Sequence, residues 1–272
     1  MKFKKDYLEG DGIVFKETPN KGGVFGKNLP DTIIIHFTAG SSAESSVNHL
    51  CKPSTKASAH LVIGRDESIT QLVPFDTVAW HAGPSSYGER KGFNKYSIGI
   101  EIDNAGRLTK SGDNYVSWFG KIYHPDEVVE AVHRNESETT YWHRYTEEQI
   151  SIVQEICTML TDKYKINSIL GHEEISSGRK IDPGPAFPLD TLRERVLMRD
   201  RSSDEASNLQ VAHKIAEVTA NNLNIRSAPV DGVVVAPPLA KGTKVEVLQE
   251  KDGWLEVDAR IKGWVSGKYI ST

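Results

Sequence analysis

The sequence predicts an α/β domain built on a central mixed sheet flanked by helices, followed by a small all-β barrel. Three observations lead there. Strand-like and helix-like patterns alternate from residue 33 to Gly171, as they do in an α/β layer. A polar, charged run at 199–207 interrupts the pattern and reads as a linker. Beyond residue 218, short β-type runs are separated by turn residues, the spacing of a small barrel.

Residues 33–37, Ile-Ile-Ile-His-Phe, read as a buried strand bounded by Pro30-Asp31 and Ala39-Gly40. Ser41 and Ser42 offer N-caps for a helix that ends before Pro53. Residues 59–63 and 69–73 form two strands around the turn at 64–67. Residues 97–102 alternate strictly. Ile98, Ile100 and Ile102 share one face, and Ser97, Gly99 and Glu101 the other. Thr146 and Gln149 form a capping box, and the helix it opens carries Val153, Ile156, Cys157, Leu160 and Tyr164 on one stripe. Between Asn104 and Tyr145 the pattern breaks, with a short helical candidate at 126–133 and six aromatic residues among polar ones. A flap or wall over a site and a plain surface elaboration both fit such a stretch. The expected domains are therefore 1–198 with an insertion at 104–145, a linker at 199–210, and a barrel at 211–272. Trp254 and Trp264 are expected in the barrel core.

The 272 residues suffice for roughly two domains. Net charge is −4 and no long basic block occurs, which argues against nucleic acid or an anionic membrane as partner. No segment is long and apolar enough to span a bilayer. Cys51 and Cys157 form no CxxC and suggest neither a disulfide scaffold nor a thiolate metal site; Cys157 falls on an apolar helical face and reads as core. The basic N-terminus is followed by no apolar stretch, so no secretory signal is expected. The expectation is synthesis in the cytoplasm, with action on a target outside after release or non-classical export. The oligomeric state has no signature in the sequence.

The chemistry concentrates in Gly171-His172 through Pro185. This string holds His172 and Asp182 ten residues apart, with Lys180 two before the Asp. Far upstream, His36 ends an apolar run. Two imidazoles and one carboxylate are the donor set of a catalytic zinc site that keeps one position open for water. Amide hydrolysis at such a site needs a base for the water and an acid for the leaving amine, and Glu101 faces away from the apolar side of its strand. Lys180 can supply positive charge to a developing oxyanion. His49, His124, His133, His143 and His213 lack a partnering motif and are read as non-ligands.

The strings Ile-Ile-Ile-His-Phe-Thr-Ala-Gly, Ser-Ala-His, Trp80-His81-Ala82-Gly83, Ser97-Ile98-Gly99-Ile100-Glu101-Ile102 and 171–185 occur in that order. In this the chain resembles the zinc-dependent N-acetylmuramoyl-L-alanine amidases of the peptidoglycan-recognition superfamily, over roughly residues 30–195 outside the 104–145 stretch. The tail, with Leu-Asn-Ile-Arg-Ser-Ala-Pro and a closing Gly-Trp-Val-Ser-Gly-Lys-Tyr-Ile, resembles bacterial SH3-like wall-binding domains. The resemblance implies Zn²⁺ held by His36, His172 and Asp182, with Asp where many relatives have Cys. It implies Glu101 as acid/base and Lys180 as the group that assists the carbonyl. Some relatives carry Tyr just before the Ser-x-His histidine; here Ala59 stands there, which sets the chain apart from a tyrosine-assisted mechanism. His60 and His81 either bind substrate and shape the site or make structural hydrogen bonds. The implied partners are peptidoglycan or muropeptides, cut between N-acetylmuramic acid and L-alanine. A non-catalytic peptidoglycan-binding module is the alternative. A stem-peptide metalloprotease would more often show a His-Glu-x-x-His helix, which is absent.

Overall fold

The computed structural model describes residues 1–197, 214–226, 234–251 and 254–258. The chain divides into two compact units, Met1–Ser202 and Ser203–Thr272. In the first, the main strands are β1 (Ile13–Phe15), β2 (Thr32–Phe37), β3 (Leu61–Ile63), β4 (Ile69–Gln71) and β5 (Ser97–Ile102), with helix α1 (Ala43–Leu50) between β2 and β3. An inserted sheet follows: β6 (Arg107–Ser111), β7 (Asn114–Val116), β8 (Ile122–Tyr123), β9 (Val128–Val132) and β10 (Thr139–His143). The unit ends with α2 (Glu147–Tyr164), β11 (Ser168–Gly171), the single turn α3 (His172–Ile175) and α4 (Leu189–Leu197).

The six-stranded sheet runs β11-β2-β5-β3-β4-β1. β11, β2, β5 and β3 are parallel, while β3 and β4 form an antiparallel hairpin, so the sheet is mixed as expected. β2 lies inside the sheet between β11 and β5, covered on both faces, which is why it reads as an unbroken apolar run. Ile33 and Ile35 face the larger core with Ile98, Ile100, Ile102 and the α2 stripe of Val153, Ile156, Cys157 and Leu160. Ile34 faces the opposite layer with Ala82, Phe93, Leu170 and Ile175. By the two-residue period of a strand, His36 shares the Ile34 face.

The helix caps follow the sequence. The Ser42 hydroxyl accepts the Ser45 amide of α1, and Thr146 and Gln149 exchange side-chain-to-backbone bonds at the start of α2. Cys157 is fully buried, as expected. No described helix is long and apolar enough to cross a membrane.

The stretch 104–145 departs from its expectation. It is a five-stranded antiparallel sheet ordered β8-β7-β6-β10-β9. The helix expected at 126–133 is instead one 3₁₀ turn, Pro125–Glu127, running into strand β9. Pro125, Asp126 and Glu127 compose a good helix start. The β-branched Val128, Val129 and Val132 then pair with His143, Trp142 and Thr139 of β10, and cross-strand packing outweighs the start signal.

The second unit is all-β where described: Lys214–Glu217, Asn222–Arg226, Val234–Ala240, Lys244–Lys251 and Trp254–Asp258. Its pairings are antiparallel, around a small core of Val218, Leu239 and Val245. Trp254, expected in that core, is exposed instead. The linker at 199–210 and Trp264 lie outside the described residues.

Candidate active site

The candidate site lies at the carboxyl ends of the parallel strands, where α/β sheets commonly bind ligands. His36 is the fifth residue of β2, and Glu101 is its register partner on β5. His172 follows the last residue of β11 directly. The loop after α3 returns Asp182, and the Glu173 amide donates to the Asp182 carbonyl at 2.8 Å, closing the loop.

Three donor atoms converge. His36 Nδ1 and His172 Nδ1 are 3.0 Å apart, and each is 2.9 Å from Asp182 Oδ2. All three residues are buried. The outer nitrogens indicate which atoms carry protons. His172 Nε2 lies 3.1 Å from the Ala82 carbonyl, an acceptor, so Nε2 carries the hydrogen and Nδ1 a lone pair. His81 Nε2 lies 3.2 Å from the Ser97 carbonyl and is protonated by the same logic. Its Nδ1 then accepts from His36 Nε2 at 3.0 Å, which leaves a lone pair on His36 Nδ1. Burial keeps His36 and His81 neutral: it pulls His36 down to about 4 and His81 well below the usual imidazole range. With both imidazoles neutral, two lone pairs and a carboxylate oxygen face one another, and such a triangle forms a site for a cation. Among the described residues this is the one such cluster of histidine, cysteine and acidic side chains.

Glu101 stands beside it. Burial, then the Asp182 charge, raise the Glu101 carboxyl well above its usual range, and Lys180 opposes them. Its Oε2 is buried without a hydrogen-bond partner among the described residues. A buried polar atom left unpaired is costly and marks a place where something else bonds. Lys180 is half-buried on the loop between the two downstream donors, and its charge is felt at both Glu101 and His36.

His60 and His81 are brought close to this cluster but spend their nitrogens on the protein. His60 Nδ1 accepts the Gly99 amide at 3.0 Å and Nε2 donates to the Thr77 carbonyl at 2.9 Å. His81 bridges His36 and Ser97 as described. The His81 ring rests on β5 at Gly99, where a Cβ would lie 2.4 Å from the ring, so only glycine fits. Asn94 Oδ1 accepts the amides of both His81 and Ala82 and fixes the turn that carries them.

A cavity of about 370 Å³ opens onto Glu101. One wall is α1 along its length and the loop before it; the other is Trp118 and Phe119 of the insertion. Trp118 is 76% exposed yet held in place, its Nε1 donating to the Ala39 carbonyl at 2.7 Å. The insertion therefore forms a wall beside the site. Trp118 had no sequence signal beyond the density of aromatic residues around it. The roles of Asn94 and Arg179 were also missed. One Arg179 nitrogen donates to the carbonyls of Ala82 and Pro84, both at 2.9 Å, and ties the 171–185 loop to the 81–84 turn.

The family model described as N-acetylmuramoyl-L-alanine amidase matches residues 26–185, more than half of the chain. The chain belongs to that family. All three donors and Glu101 fall inside the matched region. The 1,6-anhydro-N-acetylmuramyl-L-alanine amidase AmpD of Citrobacter freundii is 33% identical over 152 residues, 55% of this chain and 62% of that protein. AmpD of Escherichia coli is 34% identical over 145 residues, 53% of this chain and 59% of that protein. The N-acetylmuramoyl-L-alanine amidase AmiD of E. coli is 27% identical, over 60% of this chain and 52% of that protein. The chain thus spans about 60% of the length of the AmpD relatives it matches. The crystal structure of a selenomethionine derivative of AmpD superposes with a TM-score of 0.50 at 24% identity. It covers 72% of this chain and 99% of that one, and shows the shared amidase fold.

Proposed function

We propose that this amidase-family chain is a zinc-dependent N-acetylmuramoyl-L-alanine amidase. It hydrolyses the amide between the lactyl group of N-acetylmuramic acid and L-alanine in peptidoglycan or its fragments. The observation that carries the reading is the triangle of two imidazole lone pairs and one carboxylate oxygen beside the unpartnered Glu101. Zinc with bonds of about 2.0–2.1 Å in tetrahedral geometry sets neighbouring donors roughly 3.3 Å apart. The edges of 2.9, 2.9 and 3.0 Å come close to that, and the donor set is one zinc accepts. Bound there, zinc supplies Lewis acidity and brings a water's pKa near neutral.

The chain's own groups do the rest. Glu101 accepts a proton from the attacking water and delivers it to the alanine nitrogen as the carbon–nitrogen bond breaks, leaving a free lactyl carboxylate and a peptide amine. Lys180 places positive charge where the carbonyl oxygen becomes anionic. His81 and the Ala82 carbonyl hold the rings of His36 and His172 in orientation and tautomer, the usual work of groups behind metal ligands. His60 and His81 thus act as structural and positioning groups in this reading rather than as substrate contacts. The relatives' names, which share the muramyl–L-alanine amide, support the choice of bond. In the second unit, short antiparallel strands and the Leu223-Asn224-Ile225-Arg226-Ser227-Ala228-Pro229 string support an SH3-like domain that tethers the enzyme to the wall.

Mass spectrometry of digests of purified sacculi and of soluble muropeptides tests this reading. The expected products are sugars ending in a free lactyl group and intact stem peptides with an L-alanine amine. Stem peptides cut internally, or no products with zinc present, would overturn it.

A further inference from the structure

The inserted sheet does more than wall the cavity. Its β9–β10 turn reaches the back of the loop that carries His172 and Asp182. His133 Nδ1 accepts the Asn135 amide at 3.3 Å, which places the ring proton on Nε2. That Nε2 donates to Glu173 Oε2 at 2.7 Å. The Arg134 Nε lies 3.1 Å from Glu173 Oε1, and Arg134 also pairs with Glu174. Asn135 Nδ2 donates to the Glu173 carbonyl at 3.1 Å. Glu173 is only 3% exposed, and its Oε2 also accepts the Gly184 amide at 3.1 Å. Trp142 of β10 stacks on His133, with ring centroids 5.5 Å apart. The same indole lies over Gly184, where a Cβ would come within 2.7 Å of it.

Glu173 sits between the two downstream donors. It follows His172 directly, its amide bonds the Asp182 carbonyl, and its carboxylate bonds the loop again two residues past Asp182. We propose that His133, Arg134 and Asn135 are positioning residues. They form a clasp that grips Glu173 and so holds His172 and Asp182 at the spacing the ion needs before it arrives. Without the clasp the buried carboxylate is left with the Gly184 amide alone, and the ion must order the loop itself. Groups behind metal ligands commonly contribute ten- to a hundredfold to metal affinity in this way. The proposal rests on the zinc reading above and assigns to the insertion a part in it.

The test is the zinc dissociation constant of the full chain, measured by competition with a chromophoric chelator, alongside thermal melts of the metal-free protein. The variants are His133→Ala, Arg134→Ala and Asn135→Ala, with the remote core variant Cys157→Ala as control. The clasp variants are expected to bind zinc about 10–100-fold more weakly, with turnover restored by excess zinc. Cys157→Ala is expected to lower the melting temperature while leaving zinc affinity unchanged. Wild-type zinc affinity in Arg134→Ala and Asn135→Ala overturns the clasp, whatever their melting temperatures, and these two decide the matter if His133→Ala does not fold. A wild-type chain that takes up no zinc overturns the zinc reading, and the clasp with it.

Discussion

Glu101, a half-buried side chain whose Oε2 is shut from solvent, couples activity to stability. Its carboxyl is raised well above the usual range by burial and by Asp182. Glu101→Gln keeps the shape and removes the charge and the proton-transfer capacity. Turnover is expected to fall roughly 10²–10⁴-fold with zinc retained, measured by hydrolysis rate and metal content; near-normal turnover would move the base elsewhere. The same variant has a second expected outcome in the metal-free protein. A carboxyl with a raised folded pKa binds its proton more tightly folded than unfolded. Its ionisation therefore costs stability as pH rises above 4.5, and that cost disappears below 4.5. Thermal melts should show metal-free Glu101→Gln more stable than wild type at pH 7, with the two converging in acid; equal melting at pH 7 would mean that the charge is solvated. At this scale the sequence was informative. Glu101 was legible because a strict two-residue alternation puts it opposite three isoleucines, and His172 and Asp182 because they share one short string. The duties of His60 and His81 were not, since their ring partners, His36 apart, are backbone groups of Thr77, Gly99 and Ser97, which no motif records.

Among the elements, β2, β5, α1 and α2 could be read from the chain because each has a dominant period and a cap or a breaker. The inserted sheet could not. Its strands are two to five residues long, its aromatic residues fall on both faces, and its two local groups, β6-β7-β8 and β9-β10, join only through the β6–β10 pairing across some thirty residues. The wall it contributes has a kinetic signature. Trp118 borders the cavity beside Glu101, whose lining includes none of the three donors, so it can bind substrate without taking part in bond breaking. Trp118→Ala is expected to raise KM for a soluble muropeptide roughly tenfold, the equivalent of about 1.4 kcal/mol of binding, with kcat little changed. Unchanged KM would show that substrate does not touch this wall.

For the whole molecule, the division at Ser202 separates a unit holding every candidate catalytic group from one that is all-β where described. Removing residues 203–272 is expected to leave hydrolysis of soluble muropeptides nearly unchanged. Activity on intact sacculi should fall, because a second contact raises the effective concentration of the first. Equal loss on both substrates would mean that the tail supports the catalytic fold, and no loss on either that it binds something other than wall. The first unit also has a division of its own. The chain leaves for the inserted sheet and returns from it at nearly one spot. The Asn104 side chain donates to the His143 carbonyl at 2.9 Å, the Ala105 amide to His143 Nδ1 at 3.1 Å, and the His143 amide to the Gly106 carbonyl at 2.9 Å. An excursion whose two feet touch makes little demand on the path of its host, since closing a loop depends only weakly on its length. Such a sheet is a detachable part. It can be lengthened or removed at that single joint without re-threading the parallel strands, so the wall and the clasp can change while the strands that carry His36, Glu101 and His172 keep their order.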